Sequence, residues 1–210
     1  MGYVRSVLGP REPVLEEILR RSLTAGMPSI QIDDNAGRML QMLTRLKRPK
    51  HVIEVGTLFG YSTIYIARGL PPEGRITTLE IDPAAADLAR QNLEAAGVAD
   101  RVDIVVGDAV DYLTTVPPAS VGMLFIDADK KSYPTYLKHG FPLVEEGGLI
   151  IADDAFATGD FTVEVEPGSD DQREINGILS YTRAAGRSPR LLSAFIGTAH
   201  GMMISLKEMR

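Results

Sequence analysis

The chain carries a series of short apolar runs, most of them closed by a glycine or a carboxylate, and the first five are separated by stretches of helical pattern. The runs are His51 to Gly56, Arg75 to Asp82, Val102 to Gly107, Val121 to Asp127, Gly148 to Asp153, Leu191 to Ile196 and Gly201 to Leu206. Stretches such as MLFI and LIIA are apolar without alternation, as expected of strands buried on both faces. Among the intervening segments, Pro83 to Ala96 has proline in its first turn and Gly97 as a stop, and Asp108 to Thr115 opens on a carboxylate able to cap its N-terminus. Strand alternating with helix implies right-handed crossovers and a parallel, doubly wound α/β sheet with helices on both faces. The last two runs are separated only by Gly197 to His200, too little for a crossover. They must form a hairpin, with one of its strands antiparallel to the rest. The expected sheet has seven strands.

The remaining sequence narrows what such a sheet can serve. A length of 210 residues, 44% hydrophobic and 24% charged, suits one soluble domain spanning residues 1–210. Within it, two amphipathic segments in residues 1–48, Pro13 to Thr24 and Asp33 to Arg48, precede the sheet and could cover its ligand edge. The absence of cysteine removes thiolate chemistry and disulfides, and no apolar run has the length of a signal peptide or a membrane span, so a cytoplasmic protein is expected. A net charge of -6, with no basic run longer than Lys130-Lys131, argues against a nucleic-acid partner. Glu164 to Asp171 reads as an acidic surface loop.

In a doubly wound sheet the ligand lies beyond the carboxyl ends of the strands. The first such loop, Glu54-Val55-Gly56-Thr57-Leu58-Phe59-Gly60-Tyr61-Ser62-Thr63, spaces its glycines GxxxG, not the GxGxxG that lets a backbone approach a pyrophosphate. Glu54 points the same way, since a carboxylate there repels phosphate and suits the cationic amino group of an amino-acid ligand. Glu80 ends the second strand at an offset close to the roughly 20 residues at which an acidic side chain reaches a ribose diol. Gly107-Asp108-Ala109 then falls at an adenine, although Asp108 as a plain cap accounts for itself equally well. Asp127 closes the fourth strand, and Asp153 with Asp154 closes the fifth. Three carboxylates at one edge repel one another unless a cation offsets them, and oxygen donors suit magnesium, calcium or manganese better than zinc.

The runs IEVGTLFGYST, LEID, GDA, FIDADKKSY and IIADDA resemble the cation-dependent O-methyltransferases of the catechol and caffeoyl-coenzyme A type, from about Met27 to the last hairpin. The resemblance implies a Rossmann-like class I methyltransferase fold that binds S-adenosylmethionine through Glu54, Gly56, Ser62, Glu80 and Ala109. It also implies that Ile30 and Ile32 lie near the methionine end. Thr57, Gly60, Tyr61, Ile81, Asp108 and Asp127 fall around the same ligand. It places a divalent cation, magnesium above all, on Asp127, Asp153 and Asp154, the last of which stands where the family usually has asparagine. Lys130 is cast as the base that deprotonates the acceptor, with Asp127 beside it in the reactive centre. His200 stands where the family usually has aspartate, either as a turn residue or as a substrate contact. The stretch Phe156 to Phe161 and the acidic loop match the family poorly. A homodimer is implied as well.

The expected reaction is therefore methylation of a small aromatic acceptor with two neighbouring hydroxyls. A phenol, with pKa near 10 by analogy with tyrosine, is mostly protonated at neutral pH. Chelation of two adjacent oxygens would both ionise and orient it. The departures at Asp154 and in the loop keep open a metal-independent methyltransferase of the same fold acting on a natural-product hydroxyl or carboxyl. A dehydrogenase is disfavoured by the GxxxG spacing and by the lack of a Tyr-x-x-x-Lys pair. A binding protein would have no use for the Asp127 to Lys130 constellation.

Overall fold

In a computed structural model, which describes residues 6–156 and 166–209, the sheet has seven strands in the order β3-β2-β1-β4-β5-β7-β6. They are β1 His51–Val55, β2 Arg75–Glu80, β3 Val102–Val106, β4 Val121–Ile126, β5 Val144–Ala152, β6 Leu191–Ile196 and β7 Met202–Lys207. The first five pair in parallel, while β7 runs antiparallel to both β5 and β6. The chain reverses from β1 toward β2 on one side and β4 on the other. The carboxyl ends of β1 and β4 are therefore the switch point where a ligand crevice opens.

Alternation along each strand sorts its side chains into two cores. Val52, Phe125 and Ile151 face a layer that holds α1 (Pro13–Thr24), α2 (Asp34–Lys47), α3 (Tyr61–Gly69) and α4 (Pro83–Ala95). Ile53, Leu124, Ile126 and Ile150 face α5 (Ala109–Leu113), α6 (Tyr133–Gly140) and α7 (Asp170–Gly186). Phe125 is fully buried, and truncating such a side chain costs about 3–5 kcal/mol.

Local signals account for the helix ends. Asp33 accepts from the backbone N–H groups of Asn35 and Ala36 at the start of α2, and Asp82 and Asp108 cap α4 and α5 in the same way. Parts of the structure depart from the sequence reading. Strand β5 begins at Val144, because Glu145, Glu146 and two glycines continue the strand without an apolar pattern and the register against β4 shifts there. The N-terminal helices do not themselves cover the ligand edge. They pack in the first layer, and only the segment joining them reaches the crevice. The stretch Phe156 to Phe161 lies, apart from Phe156, outside the described residues, as do Glu164 and Val165 of the acidic loop. The rest of that loop is shorter than the sequence reading, because Ser169 caps α7 and Asp170 and Asp171 form its first turn. Among the described residues no helix is long and apolar enough to cross a membrane.

Candidate active site

The ladder continues one residue past the strand ends and so fixes the site. Asp127 N–H donates to Val55 O, Asp153 N–H to Ile126 O, and Gly56 N–H to Leu79 O. Beyond these ends lies a cavity of about 780 Å³. Of the residues singled out in the sequence, Ile30, Ile32, Gly56, Thr57, Tyr61, Ser62, Glu80, Ile81, Asp108, Ala109, Asp127, Lys130 and Asp154 line it. Glu54, Gly60, Asp153 and His200 do not. Gly60 acts on the backbone instead, taking φ +83° as it opens α3.

Glu54 lies behind the loop, fully buried. Its Oε2 accepts from the hydroxyls of Thr63 and Thr78, and its Oε1 has no hydrogen-bond partner. Burial pushes its pKa up to about 7, against the partial relief of the neighbouring hydroxyls. Glu80 is held by backbone: Oε2 accepts from Thr57 N–H at 3.2 Å and Leu58 N–H at 2.7 Å, and Oε1 from Asp82 N–H at 3.0 Å. One carboxylate thus fixes the shape of the glycine loop while still facing the cavity.

At the opposite wall, Lys130 Nζ lies 3.1 Å from Asp127 Oδ1 and 3.1 Å from Asp154 Oδ2, and donates to Tyr133 Oη at 3.2 Å. Burial works against its charge, but the Tyr133 hydroxyl and the two carboxylates outweigh burial, and the ammonium is held above the usual lysine range. As it stands Lys130 is a cation and not a free base. Asp153 is 5% exposed, and its Oδ1 has no partner. Burial first, and then the charges of Asp127 and Asp154, raise its pKa. Asp154 adopts φ +58°. Among non-glycine residues asparagine and aspartate best tolerate that region, which explains why an Asn-to-Asp exchange is structurally possible here. His200 Nδ1 lies 3.6 Å from Asp154 Oδ1, at the edge of this group.

The three carboxylates gather as expected at the β4 and β5 ends, yet the described residues hold no group of donors closed around a single metal position. The Lys130 ammonium stands between two of them. Sequence reasoning missed Asp129, Tyr136 and Glu174, which also line the cavity. Asp129 lies inside the FIDADKKSY run, where its spacing gives no signal apart from that of Asp127. It accepts from the Tyr136 hydroxyl at 2.6 Å.

An O-methyltransferase family model matches residues 5–208. A catechol O-methyltransferase of Niastella koreensis is 38% identical over 187 residues, 87% of this chain and 85% of its own length. One from Mycobacterium tuberculosis is 39% identical over 78% of this chain and 74% of its own. Among solved structures, the O-methyltransferase of Bacillus cereus in complex with SAH superposes with a TM-score of 0.85 at 32% identity, covering 98% of this chain and 96% of that one. The O-methyltransferase TomG of Streptomyces achromogenes, in complex with SAM, gives a TM-score of 0.86 at 28% identity, over 99% and 95%. The chain belongs to the S-adenosylmethionine-dependent O-methyltransferases, in the cation-dependent family of the catechol type.

Proposed function

We propose that this O-methyltransferase methylates one hydroxyl of a small aromatic acceptor bearing two neighbouring hydroxyls, with a divalent cation, magnesium first, held by Asp127, Asp153 and Asp154. The observation that supports the reading is the buried Asp153 Oδ1 without a partner, on a carboxyl near enough to Asp127 and Asp154 to feel their charges, all three being hard oxygen donors of the kind such an ion takes. When bound, the cation would supply Lewis acidity to the acceptor oxygens, and S-adenosylmethionine the methyl group.

The chain's own residues do the rest. Glu80 presents its carboxylate to the ribose hydroxyls, Asp108 and Ala109 border the adenine, and Ser62 with Thr57, backed by Glu54, borders the methionine end. Ile30 and Ile32 close that end against water. Lys130 accepts the acceptor's proton at Nζ once Asp127 and Asp154 are engaged elsewhere, because burial then favours the neutral amine. A homodimer belongs to the same reading and rests on the family resemblance.

A second reading is favoured by one observation: the Lys130 ammonium already balances Asp127 and Asp154. In that case the enzyme is metal-independent and acts on a single hydroxyl or a carboxyl. Calorimetric titration of magnesium into the protein separates the two. One binding site that disappears in Asp153→Asn is expected, and a titration without heat, repeated in the presence of S-adenosylmethionine, favours the second reading.

A further inference from the structure

Six carboxylates line the cavity, those of Glu80, Asp108, Asp127, Asp129, Asp154 and Glu174, against the single ammonium of Lys130. Five of the six are engaged. Glu80 holds backbone N–H groups, Asp108 caps α5, Asp129 takes the Tyr136 hydroxyl, and Asp127 and Asp154 hold Lys130. Glu174, among the described residues, has neither hydrogen bond nor ion pair.

The position of Glu174 is fixed by a close approach. Gly177 on α7 lies so near the Lys130 turn that a Cβ there would stand 2.3 Å from Lys130 O. Glu174 precedes Gly177 by one helical turn on the same face, so its carboxylate is presented to the cavity beside Lys130. It thus stands on the reactive side, away from the glycine loop that fits the cofactor. The N-terminus of α7 offers no compensating positive end, because Ser169 caps it and Asp170 and Asp171 occupy its first turn. Among the described residues, no cation lines this wall that is free to meet a phosphate or a carboxylate.

We infer that Glu174 is a specificity-determining residue that selects acceptors carrying a cationic or hydrogen-bond-donating substituent, such as an amine-bearing catechol, and rejects carboxylated catechols and coenzyme A thioesters. The inference rests on the catechol reading above and narrows it. An anionic substituent entering beside an unpaired carboxylate meets like charge in a partly desolvated wall, whereas an ammonium finds a partner there.

The test is a panel of four acceptors with magnesium and saturating S-adenosylmethionine: catechol, an aminoethyl catechol, a dihydroxycinnamate and its coenzyme A thioester. The wild type is expected to favour the amine over the carboxylate in kcat/KM by on the order of tenfold or more. That ratio should fall toward one in Glu174→Gln, invert in Glu174→Lys, and shrink in high salt. A purely structural role for Glu174 would change all acceptors alike and leave the ratio unmoved. Calorimetry of the amine and the carboxylate on the enzyme loaded with S-adenosylhomocysteine gives the same ratio without turnover. A wild type that prefers the thioester, or a ratio identical in wild type and Glu174→Gln, overturns the inference while the catechol reading stands. No turnover of any acceptor overturns the catechol reading itself, and the inference falls with it.

Discussion

The backbone carbonyl of Asp127 occupies the space a side chain would need at Gly56: a Cβ there would lie 2.0 Å from Asp127 O. This contact joins the end of β1 to the end of β4, and so sets the glycine loop after β1 against the carboxylate of Asp127 at a fixed spacing. Gly56 also takes φ +98°. A substitution must bear strain on the order of 1–3 kcal/mol as well as the clash. Gly56→Ala is therefore expected to lower the melting temperature, at about 2–4 °C per kcal/mol for a chain of this size, and to weaken S-adenosylhomocysteine binding. Thermal unfolding with and without that ligand checks both, and an unchanged melting temperature would show that the loop can yield.

Much of this geometry was legible because it lies at strand ends. Apolar runs with Glu54, Glu80, Asp127 and Asp153 at or near their ends announce both the strand and its ligand edge, since a parallel sheet buries its strands and opens its ligand crevice at their carboxyl ends. Tyr136 and Glu174 were not legible, because helix packing against the Lys130 turn brings them to the cavity and no spacing records it. Nor could the sequence show that Lys130, three residues after Asp127, bridges to Asp154 just past the end of β5. The role of Gly177 is equally silent until α7 is seen against Lys130 O.

Glu54 predicts a pH-dependent stability. Its folded pKa, about 7, lies above the ordinary 4.5 because burial disfavours the charge. The folded state therefore binds more protons than the unfolded chain between those values, and stability falls as pH rises across that window. At roughly 1.4 kcal/mol per unit, the loss reaches about 3 kcal/mol above pH 7. Denaturant unfolding at pH 5 and pH 8 should show a smaller loss in Glu54→Gln than in the ligand-free wild type, the remainder coming from Asp153, whose pKa burial also raises; parallel profiles for the two proteins would remove Glu54 as a cause.

Glu80→Ala removes both the acceptors proposed for the ribose and the partner of the Thr57 and Leu58 N–H groups. Hydrogen bonds to a charged group contribute about 1.5–3 kcal/mol, so affinity for S-adenosylhomocysteine should drop by roughly ten- to a hundredfold. Calorimetry decides, and undiminished affinity would move the ribose away from Glu80.

For Lys130→Ala, loss of a general base predicts a kcat lower by roughly 10²- to 10⁴-fold with cofactor affinity retained. Hydroxide can stand in for a missing base, so the deficit should shrink as pH rises. If it stays constant from neutral to alkaline pH, Lys130 serves as the counter-ion of Asp127 and Asp154 and nothing more.

The central claim is that methyl transfer depends on a divalent cation at the Asp127, Asp153 and Asp154 carboxylates. Its most direct test is the rate of transfer of a labelled methyl group from S-adenosylmethionine to catechol, measured on protein dialysed exhaustively against a chelator, before and after magnesium is restored. No transfer before and full transfer after is expected in the wild type, with Asp153→Asn much less responsive to the added ion. Undiminished transfer by the chelated wild type would contradict it.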